Sequence, residues 1–276
     1  MRLTLGQWCG IQALAAIALT GGAAAQQPTG ATQPSDAPPS AVPRAAGASL
    51  AVQRRDEWRH GRAHIYMDDF GELGRYRAAN ARLKPPGAAE NRVVFFGDSI
   101  TDAWALPTYF PGKPYVNRGI GGQTTPQLLV RYRQDVVDLG PKAVVILAGT
   151  NDIAGNTGPM SLQEIEANFT SMIELGRAHG IRTVISSVLP VHNYTPQSDL
   201  MFPIRPPDKI AELNRWLKAT CAANGCVYLD YATAMTDEHG FLKRELAVDG
   251  LHPNKAGYLI MAPLAEAAIA KALAAR

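Results

Sequence analysis

Four short polar segments of the sequence contain the residue types that nucleophilic catalysis by a serine requires. They are FGDSIT with Ser99, GIGGQTT with Gly122, AGTND with Asn151, and DGLHP with Asp249 and His252. A serine hydroxyl attacks efficiently only when a base accepts its proton and an acid holds that base in the correct tautomer. Because Asp249 and His252 are three residues apart, the carboxylate can reach Nδ1 of the imidazole while Nε2 points towards Ser99.

Ser99 also has a purely structural interpretation. It follows the apolar run VVFF and could cap a helix, which is worth about 1 kcal/mol. The other three segments favour catalysis. The GxSxG nucleophile elbow is absent, since the sequence around the serine reads GDSIT. In that fold the acid and the histidine come from separate loops, so their shared segment here indicates a different hydrolase architecture.

An attacked carbonyl would also need donors for the negative oxygen that forms on it. Three groups could supply them: the backbone N–H of Ser99, the backbone N–H of Gly122 and the side-chain amide of Asn151. Gly122 has no side chain, so its backbone can come close to a substrate. These donors follow three different apolar runs, and only a fold that places the ends of those runs together would make one site.

The elements around these segments predict such a fold. Apolar runs of strand length occur at residues 93–96, 144–147, 183–188 and 227–229, with a weaker one at 115–116, and segments of helical period lie between them. The alternation predicts a three-layer α/β/α sandwich with a central parallel sheet of about five strands. Ligands bind beyond the carboxyl ends of such strands, which is where the four polar segments fall.

The first 90 residues predict three further segments. Residues 1–25 resemble a signal peptide, with Arg2, an apolar stretch and small residues before the expected cut. Cys9 lacks the flanks of a lipoprotein acylation site, and no stable membrane anchor is expected. Residues 26–49 are rich in Pro and Ala and predict a disordered linker. The catalytic domain is expected at 50–276, with 50–90 as a helical extension, and the protein is expected to be secreted or periplasmic.

Charge and cysteine content exclude some classes of protein. The chain has 27 Lys and Arg against 24 Asp and Glu, without a basic block, so nucleic acid is not an expected partner. Beyond the signal peptide only Cys221 and Cys226 remain, in CAANGC. Export would permit a disulfide there, and two buried free cysteines are an equally good interpretation. The CxxxxC spacing does not predict a zinc site.

Further residues are candidates for binding substrate. Trp104 could form a wall of the acyl pocket or belong to the core. The proline-rich segment 190–207 predicts either a binding loop or a rigid cover, and as a binding loop it could contribute Tyr194, Met201, Phe202 or Arg205. His192 and His239 have no acid at a matching spacing, so they are expected at the surface or at the rim of the substrate cleft.

The four segments together resemble the sequence blocks of the SGNH hydrolases, also called GDSL esterases and lipases. The similarity is greatest to the branch of platelet-activating-factor acetylhydrolase-like and bacterial acylhydrolase domains. All four blocks occur in order over residues 96–253. The resemblance implies Ser99 as nucleophile and first oxyanion donor, Gly122 and Asn151 as the other donors, His252 as general base and Asp249 as its orienting acid.

The resemblance also bears on neighbouring positions. Gly122 is preferred to Gly121 because the family glycine precedes an Asp or similar residue and then Thr, here Gln123 and Thr124. The family more often has Asp where this chain has Gln123. Asp98 is implied to hold the nucleophile loop by hydrogen bonds. Neither a metal nor an organic cofactor is implied.

The expected function is an exported serine esterase that forms an acyl-enzyme. Its substrate is expected to be a small-molecule or polysaccharide ester, with short-chain or acetyl esters such as O-acetylated carbohydrate favoured, because no amphipathic lipid-binding helix is evident. Action on longer acyl chains, as by a lysophospholipase, thioesterase or lipase, is the alternative. A minor alternative is a non-catalytic carbohydrate-binding protein on the same scaffold. The oligomeric state is not predicted.

Overall fold

The computed structural model describes residues 45–196 and 198–275, with side chains described from residue 49. The expected signal peptide and the linker as far as residue 44 lie outside the described residues. The first helix, α1, begins at Ala45, five residues before the expected start of the domain. Residues 45–49 are therefore helical, although they fall within the predicted linker, 26–49.

A parallel sheet forms the centre of the described chain, which confirms the predicted α/β sandwich. Its strands are β1 (Val93–Gly97), β2 (Tyr115–Gly119), β3 (Ala143–Leu147), β4 (Arg182–Ser186) and β5 (Val227–Leu229). Their order is β2-β1-β3-β4-β5, and every neighbouring pair is parallel. After β1 the chain forms β2 on one side of it, and then β3, β4 and β5 on the other side. A crevice is expected where this direction changes, at the carboxyl ends of β1 and β3.

Helices precede the sheet and connect its strands. They are α1 (Ala45–Gly61), α2 (Ala63–Asp69), α3 (Gly74–Arg82), α4 (Ser99–Asp102), α5 (Leu106–Tyr109), α6 (Thr125–Asp135), α7 (Thr150–Ala154), α8 (Leu162–Ala178), α9 (Ser198–Met201), α10 (Pro207–Asn224), α11 (Ala232–Met235) and α12 (Lys255–Ala274). Short 3-10 helices span Val137–Leu139 and Arg244–Leu246.

Alternate side chains of the central strands enter separate cores on the two faces of the sheet. Val94 and Phe96 of β1 pack on one face with α6, α8 and α10. Val93 and Phe95 pack on the other face with α4, α5 and α12. Both β1 and β3 are buried along their whole length, which explains why their sequences are continuous apolar runs instead of alternating ones.

Helix α12 is long and apolar enough, by length and composition, to cross a membrane. Its residues Tyr258, Met261, Ala265 and Ile269 are buried in the core of the second face. This burial is typical of the core helix of a sandwich, where apolar residues are needed on the side that faces the sheet.

A disulfide joins Cys221 of α10 to Cys226, which directly precedes β5. The two Cα atoms are 4.5 Å apart. The sequence left this pairing open, because spacing alone does not distinguish a bridge from two buried thiols. The bridge ties the end of α10 to the start of the edge strand.

Candidate active site

Ser99 lies in the turn between β1 and α4, at the carboxyl edge of the sheet. It is the first residue of α4, and Asp98 caps that helix by accepting a hydrogen bond from the Ile100 N–H at 3.0 Å. Asp98 is completely buried, whereas Ser99 is half-buried. The capping interpretation therefore applies to Asp98, which leaves the Ser99 hydroxyl available for another partner.

That partner is His252, from the segment that precedes α12. The Ser99 Oγ lies 2.9 Å from His252 Nε2, and His252 Nδ1 lies 2.7 Å from Asp249 Oδ2. With Asp249 ionised, the proton of the neutral imidazole resides on Nδ1, so Nε2 can accept the serine proton. The structure thus brings Ser99 to within hydrogen-bond distance of His252, although the two residues are 153 positions apart along the chain.

A tight turn holds Asp249 and His252 together. Asp249 Oδ1 accepts the N–H groups of Leu251 at 3.1 Å and His252 at 2.9 Å. Gly250 in this turn has a φ of +87°, and a Cβ there would lie only 2.6 Å from Cβ of Ser198. Only glycine fits this position, because a side chain would meet both backbone strain and a clash.

The charge of Asp249 is held in place by the same contacts. Partial burial alone would raise its pKa, but hydrogen bonds from the His252 side chain and backbone outweigh burial and lower the pKa to about 2. The carboxylate therefore stays ionised at neutral pH. It can orient the imidazole and stabilise the imidazolium that forms when His252 takes a proton.

Asn151 in α7 lines the same cavity as Ser99 and His252. Its Nδ2 lies 3.1 Å from the Gln123 carbonyl oxygen and 3.3 Å from Asp98 Oδ2. Its Oδ1 accepts a hydrogen bond from Arg205 Nη2 at 3.3 Å. The buried Arg205 guanidinium thereby fixes which end of the amide faces Asp98 and the nucleophile turn.

The two candidate glycines after β2 make different contacts. The N–H of Gly121 donates to Asp102 Oδ2 at 3.3 Å. The N–H of Gly122 has no acceptor among the described residues. Gly122 has a φ of +80°, and a Cβ there would lie 2.7 Å from Cζ2 of Trp58, so the position requires glycine. This geometry favours Gly122 over Gly121 as a donor to a ligand.

A cavity of about 420 Å³ opens over Ser99 and His252. Gly122, Asn151 and Arg205 also line it, so it contains most of the residues that the sequence predicted. Met201, a candidate from the 190–207 segment, also lines it. The other walls were not predicted and include Leu200, Ile204, Leu251, Asn156, residues of α1 and Arg62.

Three candidate substrate contacts do not line the cavity, because their side chains are used elsewhere. Trp104 is 2% exposed and packs in an aromatic cluster with Phe95, away from the cavity. Phe202 is also 2% exposed and packs on Phe241. Tyr194 is bonded to Asp237 through its hydroxyl and does not line the cavity.

Arg205 and His192 are the two other predicted polar contacts of this region. Arg205 does line the cavity, although it is only 5% exposed. His192 is buried instead of lying at the surface or rim, and its backbone N–H donates to the Gly250 carbonyl at 3.0 Å. This hydrogen bond supports the turn that contains Asp249 and His252. His239 is exposed, as expected for a surface residue.

Two buried carboxyl groups lie beneath the nucleophile turn. Burial raises the pKa of Asp98 to about 7, although the hydrogen bond from Ile100 opposes the shift. Burial raises the pKa of Asp152 to about 6, although Thr125 donates both its N–H and its hydroxyl to Asp152 Oδ1. Asp152 Oδ2 has no partner among the described residues, so at this oxygen no hydrogen bond offsets the effect of burial.

These raised values predict a stability that falls as the pH rises. The folded protein binds the Asp152 proton more tightly than the unfolded chain, so the contribution is complete below about pH 4 and is lost as the pH rises through about 6. Between pH 4.5 and 7.5, we expect the free energy of unfolding to fall by about 2 kcal/mol more in the wild type than in Asp152→Asn. Urea unfolding of both proteins at the two pH values measures this difference, and equal changes would contradict it.

The segment that forms this site is similar in sequence to a known protein family. The sequence profile of the GDSL-like lipase/acylhydrolase family matches residues 95–260. This range contains all four polar segments and most of the sheet. The chain belongs to this family. As a GDSL-like acylhydrolase, it is a hydrolase of ester bonds, and the recognition made from the four sequence blocks is confirmed.

Solved structures support the assignment. A candidate acylhydrolase from Bacteroides fragilis is 40% identical, with a TM-score of 0.70, and the match covers 75% of this chain and 99% of that one. A protein from Streptococcus pneumoniae, described as a candidate platelet activating factor, is 27% identical, with a TM-score of 0.65 and coverage of 80% and 99%. The shared fold thus extends over nearly the whole of both relatives.

A curated relative matches over a shorter range. The uncharacterized lipoprotein YqeF of Bacillus subtilis (strain 168) is 34% identical over 124 residues. The match covers 38% of this chain and 51% of the relative. The chain therefore spans about half the length of that protein.

Proposed function

We propose that this GDSL-family protein is an exported serine esterase that hydrolyses acetyl or other short-chain esters, with O-acetylated carbohydrate as the favoured substrate. The observation that carries the proposal is the hydrogen-bonded chain from Ser99 Oγ through His252 to Asp249, which opens into the cavity. A serine, a base and an orienting acid within hydrogen-bond distance are the parts that acyl transfer needs.

In the proposed mechanism, Ser99 Oγ attacks the ester carbonyl while its proton passes to His252 Nε2. The tetrahedral intermediate collapses when the imidazolium gives that proton to the departing alcohol, which leaves an acyl group on Ser99. His252 then takes a proton from water while the water oxygen attacks the acyl-enzyme. The second tetrahedral intermediate collapses when the imidazolium returns this proton to Ser99 Oγ, and the carboxylic acid leaves. Asp249 stays ionised throughout and stabilises the imidazolium.

The oxyanion of both tetrahedral intermediates is proposed to bind the backbone N–H groups of Ser99 and Gly122 and the side chain of Asn151. The Gly122 N–H has no competing acceptor among the described residues. Asn151 Nδ2 contacts Asp98 at 3.3 Å, a long hydrogen bond that can yield to an incoming anion. Such donors act most strongly when they are fixed before the reaction, as the Arg205 contact fixes Asn151.

The acyl side of the cavity supports a short chain. Away from α1, its apolar lining consists of Leu200, Met201, Ile204 and Leu251, and the polar or charged side chains of Asn151, Asn156 and Arg205 lie among them. Trp104, which could have formed a wall of the acyl pocket, is buried in the core instead. A short acyl group would find apolar contacts here, whereas a long one would have to pass polar groups or leave the cavity.

Export is supported by separate observations. The first 25 residues have the sequence pattern of a signal peptide. Cys221 and Cys226 form a disulfide, and such bonds are found mainly outside the cytosol. The partly matching relative from Bacillus subtilis is named a lipoprotein. A secreted or periplasmic enzyme would meet ester-bearing glycans of a cell envelope or of other organisms.

The acyl preference can be measured with p-nitrophenyl esters from acetate to dodecanoate, with Ser99→Ala as the blank. We expect kcat/KM to be highest for acetate or butyrate and to fall by at least about tenfold by octanoate, because the additional methylenes gain little apolar contact. A maximum at long chains would contradict the short-chain proposal and favour the lysophospholipase, thioesterase or lipase alternative.

A further inference from the structure

Helix α1 supplies one wall of the active-site cavity, although it lies outside the range that matches the family. Ala51, Arg54, Arg55, Trp58 and Arg62 of this region line the cavity with Ser99 and His252. The family match begins at residue 95. The wall therefore comes from residues that precede the matched range.

The helix is held over the site by specific contacts. Arg55 Nη1 donates to the Ala154 carbonyl oxygen at 3.3 Å, at the end of α7. The Trp58 ring covers Gly122 closely enough to exclude a Cβ at that position. These contacts tie α1 to α7, which contains Asn151, and to the turn that contains Gly122. The helix therefore has a fixed position relative to the proposed oxyanion donors.

The wall is cationic. The charged side chains that line the described cavity, apart from the titratable His252, are Arg54, Arg55, Arg62 and Arg205, and no Asp or Glu lines it. The carboxylates that pair with arginines of α1, such as Asp56 and Glu57, are not in the lining. A concave site lined by one sign of charge attracts ligands of the opposite sign.

Arg54 is the member of this set best able to bind a ligand. Arg55 and Arg62 have mostly buried side chains and pair with Asp56 at 2.8 Å and Glu72 at 2.6 Å. Arg54 pairs with Glu57 at 3.1 Å, but its side chain is 63% exposed. Exposed ion pairs contribute about 0–1 kcal/mol, so a ligand carboxylate can replace Glu57 at little cost.

Trp58 adds a flat apolar surface beside these cations. It is 39% exposed, and the Arg62 guanidinium lies over its ring at 5.2 Å from the centroid. An aromatic face next to guanidinium groups suits a ligand that has both an apolar ring face and an acidic group. A sugar ring that carries a carboxylate has both.

We propose that the α1 wall selects esters whose alcohol part is an acidic sugar, with Arg54 binding the carboxylate and Trp58 contacting the sugar ring. This inference rests on the proposed esterase function and defines its substrate more closely. The substrate class is an O-acetylated uronic acid, either free or at the end of a glycan. The acetyl group enters between Ser99 and Asn151 while the acidic sugar lies against α1.

The test compares two substrates that differ only at C6, where one has a carboxylate and the other a hydroxymethyl group: singly acetylated methyl glucuronoside and methyl glucoside, with the acetyl group on the same hydroxyl. The released acetate is measured for the wild type, Arg54→Gln and Arg59→Gln. Arg59 is the matched control, because it is on the same helix and has the same charge but does not line the cavity. Turnover of p-nitrophenyl acetate, with Ser99→Ala as the blank, tests the esterase function separately.

We expect the wild type to prefer the glucuronoside by at least about tenfold in kcat/KM, as a charge-assisted hydrogen bond would give. The preference should fall below about twofold in Arg54→Gln, persist in Arg59→Gln and weaken in 0.5 M NaCl. Equal rates on both sugars, or an unchanged preference in Arg54→Gln, would overturn the inference while leaving the esterase function standing. If the wild type turns over p-nitrophenyl acetate no faster than Ser99→Ala, the proposed function itself is overturned.

Discussion

Replacing Ser99 by alanine is expected to lower kcat on p-nitrophenyl acetate by about a millionfold, to the level of the blank. The large effect follows from the proposed mechanism, since Ser99 Oγ forms the bond to the acyl group and His252 has no other hydroxyl to activate in the described cavity. Members of a catalytic triad act as a unit, so loss of the nucleophile removes nearly the whole contribution of the other two. Initial rates with the purified protein measure the loss.

The fold of the Ser99→Ala variant should remain intact. The substitution removes one hydrogen bond at a half-buried position, which is worth about 1 kcal/mol, while the cap supplied by Asp98 stays in place. Ser171→Ala is a suitable control, because this partly exposed serine of α8 does not line the cavity and its hydroxyl donates to the Ala167 carbonyl. Activity of Ser99→Ala above the blank, with an unchanged melting temperature, would refute the role of Ser99.

The parts of the site that the sequence predicted are local in the chain. Asp249 and His252 are joined by one turn, so their spacing already determines that the carboxylate meets the imidazole. Ser99, Gly122 and Asn151 each follow a strand of a parallel sheet, and the carboxyl ends of such strands share one edge. Local spacing together with the fold class was therefore enough to predict that these residues converge.

The substrate contacts depended on information that the sequence does not contain locally. Trp104 and Phe202 are aromatic residues in short segments without a clear period, and such residues can equally fill a core or line a cleft. Their burial is decided by distant partners, Phe95 for Trp104 and Phe241 for Phe202. His192 was misplaced for the same reason, since its partner is the backbone of Gly250.

The α1 wall is a second feature that lay beyond sequence reasoning. The charged segment 50–90 predicts helices, but its sequence does not identify what α1 packs against. Its contacts with Ala154 and Gly122 join residues about 60 to 100 positions apart. A pattern of charges can predict that arginines lie on a helix surface, whereas only the tertiary structure shows that they face Ser99.

Replacing Asn151 by alanine is expected to lower kcat by about a hundredfold to a thousandfold, because one oxyanion donor is lost. KM should change much less, since the oxyanion exists only in the transition state and the intermediates. This split separates donation to the oxyanion from simple binding of the substrate. Full rate curves on p-nitrophenyl acetate determine both constants.

Asn151 also has structural contacts, so the kinetic result needs a control for stability. The alanine variant leaves Arg205 Nη2 and Asp98 Oδ2 without this partner, and a lower melting temperature is therefore expected as well. Asn168→Ala removes a partly buried amide that contacts Thr125 outside the cavity, and it should stay within a few-fold of wild-type kcat. If Asn151→Ala is folded at the assay temperature and also stays within a few-fold, another group must stabilise the oxyanion. The Gly122 N–H would then be the first to examine, because it lines the cavity without an acceptor among the described residues.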